Sequence, residues 1–416
     1  MKLVIFGGGG SYTPELVEGI IRHYEELPVG ELALVDLSEQ RLEILAGLSR
    51  RMIAKVGLPV KVTMTTDRRR GFDGADFVNS IIRVGGMEAR SRDERVPLKH
   101  GVIGQETTGP GGMMKALRTI PPILAMAHDV EDVCPDAWVI NYTNPSGIMA
   151  EALGKHSHVK YVGLCSGPEG WIAQVLKLMN VEPRRANIDW LGLNHLGFIT
   201  RVWVDGKEAT EQAIEAVASN SPGDGDLFRT LGAIPGGYYV HYFHSDRQLA
   251  KMTEPGYRTR GEYLKELEAE MLRAYADPEL DVKPELLAKR GGGGYAEVAF
   301  SSILAIHYNK GERQITQVLN QGALDDIPAD ASVEVPTIVD RTGAHPLRMG
   351  AIPLPIRGLI QSVKAYESLT VQAAVEGSKR IALQALVAHP LVPSWDVAKA
   401  LFADLLEANK PWLPWA

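Results

Sequence analysis

The stretch "KLVIFGGGGSYTPELVEGIIRHY", Lys2–Tyr24, reads as a buried strand, a glycine turn and a helix. The apolar run ending at Phe6 suits a strand covered on both faces, and Pro14 stands where a helix begins. Between them lie Gly7, Gly8, Gly9 and Gly10. Without Cβ atoms such a turn lets the backbone approach a pyrophosphate, whose charge the next helix N-terminus stabilises. The pattern departs from G-x-G-x-x-G, because Tyr12 stands where the third glycine would fall, and a glycine cluster alone also fits a flexible turn. The second feature is Asp36, at the end of the next apolar run "ELALVDL" and 29 residues after Gly7. Its carboxylate suits both ribose hydroxyls of NAD and repels the 2′-phosphate of NADP. Together these features predict a dinucleotide site, to which Ser11, Tyr12 and Arg41 are also assigned.

Outward from that stretch the alternation continues. A helix is expected from the end of "ELALVDL" to about Val56, "ADFVNSII" and "AWVINYTNP" read as buried strands, and "LRTIPPILAMAHDVEDV" reads as the helix between them. With "KYVGLC" as a further strand, this is the pattern of a doubly wound parallel sheet. "IDWLGLNHLGFITRVWVDGKEA" changes to antiparallel strands with an Asp-Gly turn. We therefore expect a dinucleotide-binding domain over 1–167 and a mixed α/β domain over 168–416. In the latter, "SNSPGDGD" reads as a loop, and "GEYLKELEAEMLRAY" and "ESLTVQAAVEGSKRIALQALVAHP" as helices.

Composition narrows the function. The 416 residues are 45% hydrophobic and 23% charged, with net charge −7 and no dense basic block. That excludes the electrostatic footprint of a nucleic-acid binder, and the triplet Arg68–Arg70 reads as a solvated turn. No apolar stretch is long enough to span a membrane, and the Gly-broken N-terminus is unlike a signal peptide, so a cytoplasmic protein is expected. A homodimer or homotetramer is the expected assembly. The only cysteines, Cys134 and Cys165, form no disulfide framework. Cys165 in "GLCSG" and His195 in "GLNHLG" each close an apolar run beside small residues. Taken singly, each fits a packed core residue. Their company, "IGQETTGPGG" (103–112) and "NYTNPSG" (141–147), belongs where α/β sheets bind ligands.

With these motifs in order, and with "RDERVPLKHGVIGQETTGPGG", "IPGGYY", "TRGEYLKELE" and "KRGGGGYAE", the sequence resembles the NAD- and divalent-metal-dependent glycosidases of glycoside hydrolase family 4 nearly end to end. The similarity is greatest to their 6-phospho-β-glucosidase branch. The resemblance implies a Rossmann-like domain akin to lactate and malate dehydrogenases, followed by a mixed α/β substrate domain. It also implies hydrolysis of a phosphorylated glycoside by oxidation at C3 with NAD, loss of the C2 proton, elimination at C1, addition of water and re-reduction. This is outside the usual two-carboxylate scheme.

On this resemblance Cys165 and His195 hold the metal. Two protein ligands leave positions open for substrate oxygens, as a catalytic site requires. Ligand softness points to zinc; the family implies manganese. The family's base is a tyrosine within "IPGGYYVHYFH", aligned here with Tyr238, with Tyr239 one residue away. A free phenol has a pKa of about 10, so a nearby cation must favour the phenolate. Arg90 and Arg260 match arginines near the sugar and its phosphate, Asn144 meets sugar hydroxyls, and Asn141 meets nicotinamide or ribose. Glu106, Asn194 and Ser166 are assigned to the substrate. Ser166 departs from the Asn, Asp or His that follows the metal cysteine in the family and tracks sugar and anomer class, so a family 4 glycosidase of different sugar or anomer specificity is the alternative reading. Two competing readings share the fold. A NAD-dependent 2-hydroxy-acid dehydrogenase would give the thiol no task, and a non-catalytic nucleotide sensor leaves the Cys165/His195 pair unexplained.

Overall fold

The computed structural model describes residues 1–291, 293–413 and 415. Six parallel strands, β1 (Lys2–Phe6), β2 (Glu31–Val35), β3 (Lys61–Thr65), β4 (Phe77–Ser80), β5 (Trp138–Asn141) and β6 (Lys160–Gly163), lie in the order 3-2-1-4-5-6. That order is the doubly wound dinucleotide-binding sheet, with its switch point between β1 and β4. Alternation sorts the side chains to two faces. Leu3, Ile5, Leu32 and Leu34 join one core, under the helices Thr13–Arg22, Glu39–Lys55 and Tyr295–His307. Val4, Ala33 and Val35 join the other, under Gly109–Val133 and Leu354–Glu376. Both faces are covered, which is why these strands read as continuous apolar runs.

A hairpin follows: β7 (Ala186–Leu193) pairs antiparallel with β8 (Leu196–Val204), and β8 turns back through Asp205-Gly206 into β9 (Lys207–Glu208). Asp205 and Gly206 both have positive φ, as the tight Asp-Gly turn requires. The short β10 (Ile234–Pro235) pairs with β8, so β10, β8 and β7 form a second sheet with its own core around Trp190 and Phe228. The chain then returns to the first sheet. Strands β11 (Glu312–Leu319), β12 (Ser332–Asp340) and β13 (Gly343–Pro346) extend it antiparallel beyond β6, so residues on both sides of position 167 build one nine-stranded sheet.

One local expectation is corrected and one is narrowed. Arg68–Arg70 is not a solvated turn: it opens a short helix, Arg68–Phe72, in which Arg68 and Arg69 pair with Asp129. The loop expected at "SNSPGDGD" is bounded on both sides by helix, Thr210–Ser219 before it and Gly225–Leu231 beginning within it. No helix among the described residues is long and apolar enough to cross a membrane.

Candidate active site

A cleft of about 770 Å³ opens along the C-terminal ends of β1, β2 and β4. Gly7 takes φ +101°, and a Cβ there would meet the Ile81 carbonyl oxygen at 2.5 Å, so only glycine fits. The backbone N–H of Gly9 donates to Asp36 Oδ2 at 3.0 Å, and that of Ser38 donates to Oδ1 at 3.2 Å. Each oxygen of the Asp36 carboxylate is thus fixed by one backbone donor and has acceptor capacity left for a ribose. Arg41 donates to the Gly9 carbonyl at 2.8 Å and pairs with Glu268 at 3.2 Å, while Ser11 donates to the same Glu268 at 3.2 Å. The Tyr12 hydroxyl reaches the Gly291 carbonyl, and the Arg290 guanidinium stacks on the Tyr12 ring at 3.9 Å. Arg290 and Glu268, from the second half of the chain, therefore line the nucleotide turn alongside the first-half residues.

At its inner end the cleft is lined by Arg83, Lys115, Tyr142, Asn144 and Tyr295. Here Glu106 receives three cations: Arg83, Arg90 at 2.8 Å and Lys115 at 2.8 Å. Burial alone would raise its carboxyl, but these charges hold it well below the carboxylate range. Burial and the Arg83 charge bring Lys115 down to about 7. Neither Arg83 nor Lys115 was singled out from the sequence. The visible signal for Lys115 was a charge, three residues before Arg118, within the otherwise uncharged stretch "GGMMKALRTI".

Cys165 follows β6, and His195 occupies the two-residue turn between β7 and β8 with φ +67°. The two meet: Sγ lies 4.0 Å from Nε2. Burial pushes the Cys165 thiol up to about 12, with Glu334 adding to the rise, and burial with the Lys115 charge pulls His195 down to about 3. The protein alone thus keeps both neutral, and His195 Nδ1 is buried without a hydrogen-bond partner. A soft thiol facing an uncharged imidazole, with few other donors, suits one divalent cation in an open site. Among the described residues no cluster of three or more His, Cys, Asp and Glu forms a closed one.

Pairing of β10 with β8 carries the "IPGGYY" segment to this place, and Gly236 N–H donates to the Gly197 carbonyl at 2.8 Å. The Tyr238 ring lies against His195, centroids 4.3 Å apart. The hydroxyl of Tyr239 instead donates to Asp224 at 2.5 Å, and its ring packs on Phe228 at 5.3 Å. Of the two tyrosines the structure brings Tyr238 to the Cys165/His195 pair. Burial, with Cys165 and Glu106, raises the Tyr238 phenol above its ordinary value, and Arg90 opposes this only weakly. The side chains present do not favour a phenolate.

The remaining expected residues divide. Asn144 lines the cleft, its Oδ1 buried without a partner. Ser166, beside Cys165, caps the Gly167–Leu178 helix with no side-chain hydrogen bond. Asn194 is buried, donating to Glu334 at 3.0 Å and accepting the Gly147 N–H at 3.4 Å, so it braces the turn rather than facing the cleft. Asn141 is fully buried and its amide donates to the Thr143 carbonyl at 3.3 Å, which holds the 141–146 turn. Arg90 is buried between Glu94 and Glu106. Arg260 is exposed, and donates to the carbonyls of Lys289 at 3.0 Å and Arg290 at 2.9 Å, which places it on the segment carrying Arg290.

A dinucleotide-type cleft whose lining residues Lys115 and Tyr295 neighbour a cysteine–histidine–tyrosine cluster defines an enzyme in which redox cofactor and metal chemistry meet. The sequence profile described as family 4 glycosyl hydrolase matches residues 2–181, and that of the family's C-terminal domain matches residues 190–392. The chain belongs to glycoside hydrolase family 4. It is 43% identical to a probable 6-phospho-β-glucosidase of Bacillus subtilis, covering 100% of this chain and 97% of that one. It is 39% identical to a 6-phospho-β-glucosidase of Escherichia coli, with 100% and 96% covered. Among solved structures, the 6-phospho-β-glucosidase of Thermotoga maritima with NAD and glucose-6-phosphate superposes with TM-score 0.92 at 31% identity over 99% of both chains. A second form of that enzyme also holds manganese. Malate dehydrogenase of Plasmodium falciparum, at 16% identity and TM-score 0.55 over 90% of this chain and 99% of that one, shares the fold.

Proposed function

We propose that this glycosidase hydrolyses 6-phospho-β-glucosides, with NAD and manganese as cofactors. The observation that carries the reading is the contact of Tyr238 with His195 of the Cys165/His195 pair, beside Lys115 and Tyr295 of the nucleotide cleft. Gly7–Gly10, Ser11, Tyr12, Asp36 and Arg41 would hold the dinucleotide, and Cys165 and His195 the metal. When bound, these groups supply a reversible hydride acceptor and a Lewis acid.

Oxidation of the sugar at C3 acidifies the proton on C2. Tyr238 accepts that proton, and the aglycone leaves from C1; water then adds at C1 and C3 is reduced again. The raised phenol of Tyr238 means that proton abstraction needs positive charge close by, which a divalent cation held at Cys165/His195 would provide. Asn144 offers its unpartnered carbonyl oxygen to a sugar hydroxyl. Arg260, exposed beside the nucleotide turn, is the arginine open to a phosphate, and Arg90 acts by holding Glu106. Ser166, shorter than the amide, carboxylate or imidazole that the family resemblance implies at its place, would leave room beside the sugar. The chain works in the cytoplasm as a homodimer or homotetramer, with residues 1–167 as its nucleotide unit and 168–416 as its substrate unit.

The test is turnover of paired α- and β-linked 6-phosphoglucosides and their unphosphorylated forms, with NAD and Mn²⁺ added or removed. Hydrolysis of the 6-phospho-β-glucoside that requires both cofactors and shows no net NADH supports the reading. Preference for the α-linked or unphosphorylated sugar overturns the substrate, and steady NADH formation with a 2-hydroxy acid overturns the reaction.

A further inference from the structure

Glu334 lies on β12 and is 1% exposed. Its carboxylate accepts hydrogen bonds from Trp190 Nε1 at 3.0 Å, Asn194 Nδ2 at 3.0 Å and Gln317 Nε2 at 2.6 Å. All three donors are neutral. Among the described residues no lysine, arginine or histidine pairs with it, whereas the nearby buried Glu151 and Glu367 share Lys364. A buried carboxylate without a cation is costly, and neutral donors offset only part of that cost. The mechanism drawn above gives this group no task.

Its three donors come from the elements that hold the Cys165/His195 pair. Trp190 is on β7, and Asn194 precedes His195 in the turn between β7 and β8. Gln317 is on β11, where its backbone pairs with Gly163, two residues before Cys165. The Gln317 side chain also accepts from Ser146 Oγ at 2.7 Å, and Asn194 accepts from Gly147 N–H at 3.4 Å. Glu334 is therefore the common acceptor of the hairpin that presents the histidine and the sheet edge that presents the cysteine. Charge points the same way. A thiolate and a neutral imidazole supply one negative charge, so a divalent cation between them keeps an uncompensated positive charge in a buried place. Glu334 is the carboxyl group one side chain away: burial pushes it up to about 7, and a cation between Cys165 and His195 would favour its charged form.

We propose that Glu334 is the positioning residue of the metal pair: through Asn194 it fixes the His195 turn against Cys165, and its charge balances a divalent cation held there. The proposal rests on the reading of Cys165 and His195 as metal ligands. Partners behind metal ligands commonly contribute about ten- to a hundredfold in affinity.

The experiment titrates Mn²⁺ into metal-free, NAD-bound protein and follows free Mn²⁺ by electron paramagnetic resonance, with thermal unfolding measured in parallel. Wild type, Cys165→Ser, Glu334→Gln, Asn194→Ala and the Glu334→Gln/Asn194→Ala double variant are compared. Glu334→Gln, which keeps the shape and removes the charge, is expected to weaken Mn²⁺ binding about ten- to a hundredfold, and Asn194→Ala about tenfold. The double variant should be no weaker than Glu334→Gln, because the two residues act in series. Mn²⁺ affinity within twofold of wild type in folded Glu334→Gln, or in Asn194→Ala should the former not fold, overturns the proposal and leaves the metal site standing. A Cys165→Ser variant that binds Mn²⁺ as wild type does overturns the metal site itself, and the role of Glu334 with it.

Discussion

Replacing Gly9 by alanine separates the nucleotide turn from a turn that merely bends. Gly9 has no positive φ, unlike Gly7, so its backbone admits alanine and the conflict is purely one of contact. The new Cβ would stand 2.9 Å from Asp36 Cγ, 3.0 Å from Asp36 Oδ2 and 3.0 Å from Arg41 Cβ. Relieving this needs a retreat of the carboxyl by a few tenths of an ångström. The Gly9 N–H···Oδ2 bond, already 3.0 Å, is then stretched past the usual range and weakened. A hydrogen bond to a charged group contributes about 1.5–3 kcal/mol. If Asp36 must be in its present orientation to accept the ribose hydroxyls, recovering that orientation on binding weakens NAD by about ten- to a hundredfold. Isothermal titration with NAD, alongside a melting curve, measures this. An unchanged NAD affinity in a folded Gly9→Ala protein would refute the placement of the ribose at Asp36.

Three further outcomes follow from the same geometry. Asp36→Ala should narrow the preference for NAD over NADP, by loss of the carboxylate that repels a 2′-phosphate; wild-type protein that binds both equally contradicts this. Tyr238→Phe should lose at least about a thousandfold in kcat, within the range of a general base, whereas Tyr239→Phe, whose hydroxyl serves Asp224, should retain turnover to within about tenfold; the reverse order would exchange their roles. Burial opposes ionisation of Glu151, but Lys364 and its hydrogen-bond donors bring it down to about 2, below the value in an unfolded chain. Its contribution, on the order of 3 kcal/mol, is therefore complete above about pH 4.5 and disappears as pH falls toward 2. The stability gap between wild type and Glu151→Gln in urea unfolding should shrink from pH 6 to pH 3; a constant gap would show that Glu151 is not ionised in the folded protein.

The parts of this molecule that were legible in the sequence are those governed by local rules. The strand–glycine–helix opening, Asp36 at the end of β2 and the Asp-Gly turn at 205–206 each follow from backbone sterics or from residues close in the chain. The choice between Tyr238 and Tyr239 was not local. It depends on β10 pairing with β8, which turns one ring to His195 and the other to Asp224. Asn141 and Arg260 were assigned by their motifs. Sequence gives no sign that a buried amide or an exposed guanidinium is engaged by backbone carbonyls. The return of β11–β13 to the first sheet was missed for the same reason, since it joins residues far apart in the chain. Glu334 did leave a trace: it is the one charge inside "ASVEVPTIV", at a position where every neighbour is apolar or small. Its meaning lay in three donors from three other segments.

The central claim is that the C2 proton leaves before the glycosidic bond breaks. Hydrolysis of a 6-phospho-β-glucoside in heavy water, with NAD and Mn²⁺ present and the product read by NMR, tests it directly. The account predicts deuterium at C2 and none at C3, because the C3 hydride is stored on the cofactor and returned, and it predicts that Tyr238→Phe suppresses the C2 exchange together with turnover. Product that keeps its full complement of hydrogen at C2 would contradict the redox-elimination mechanism, whichever residues bind the sugar.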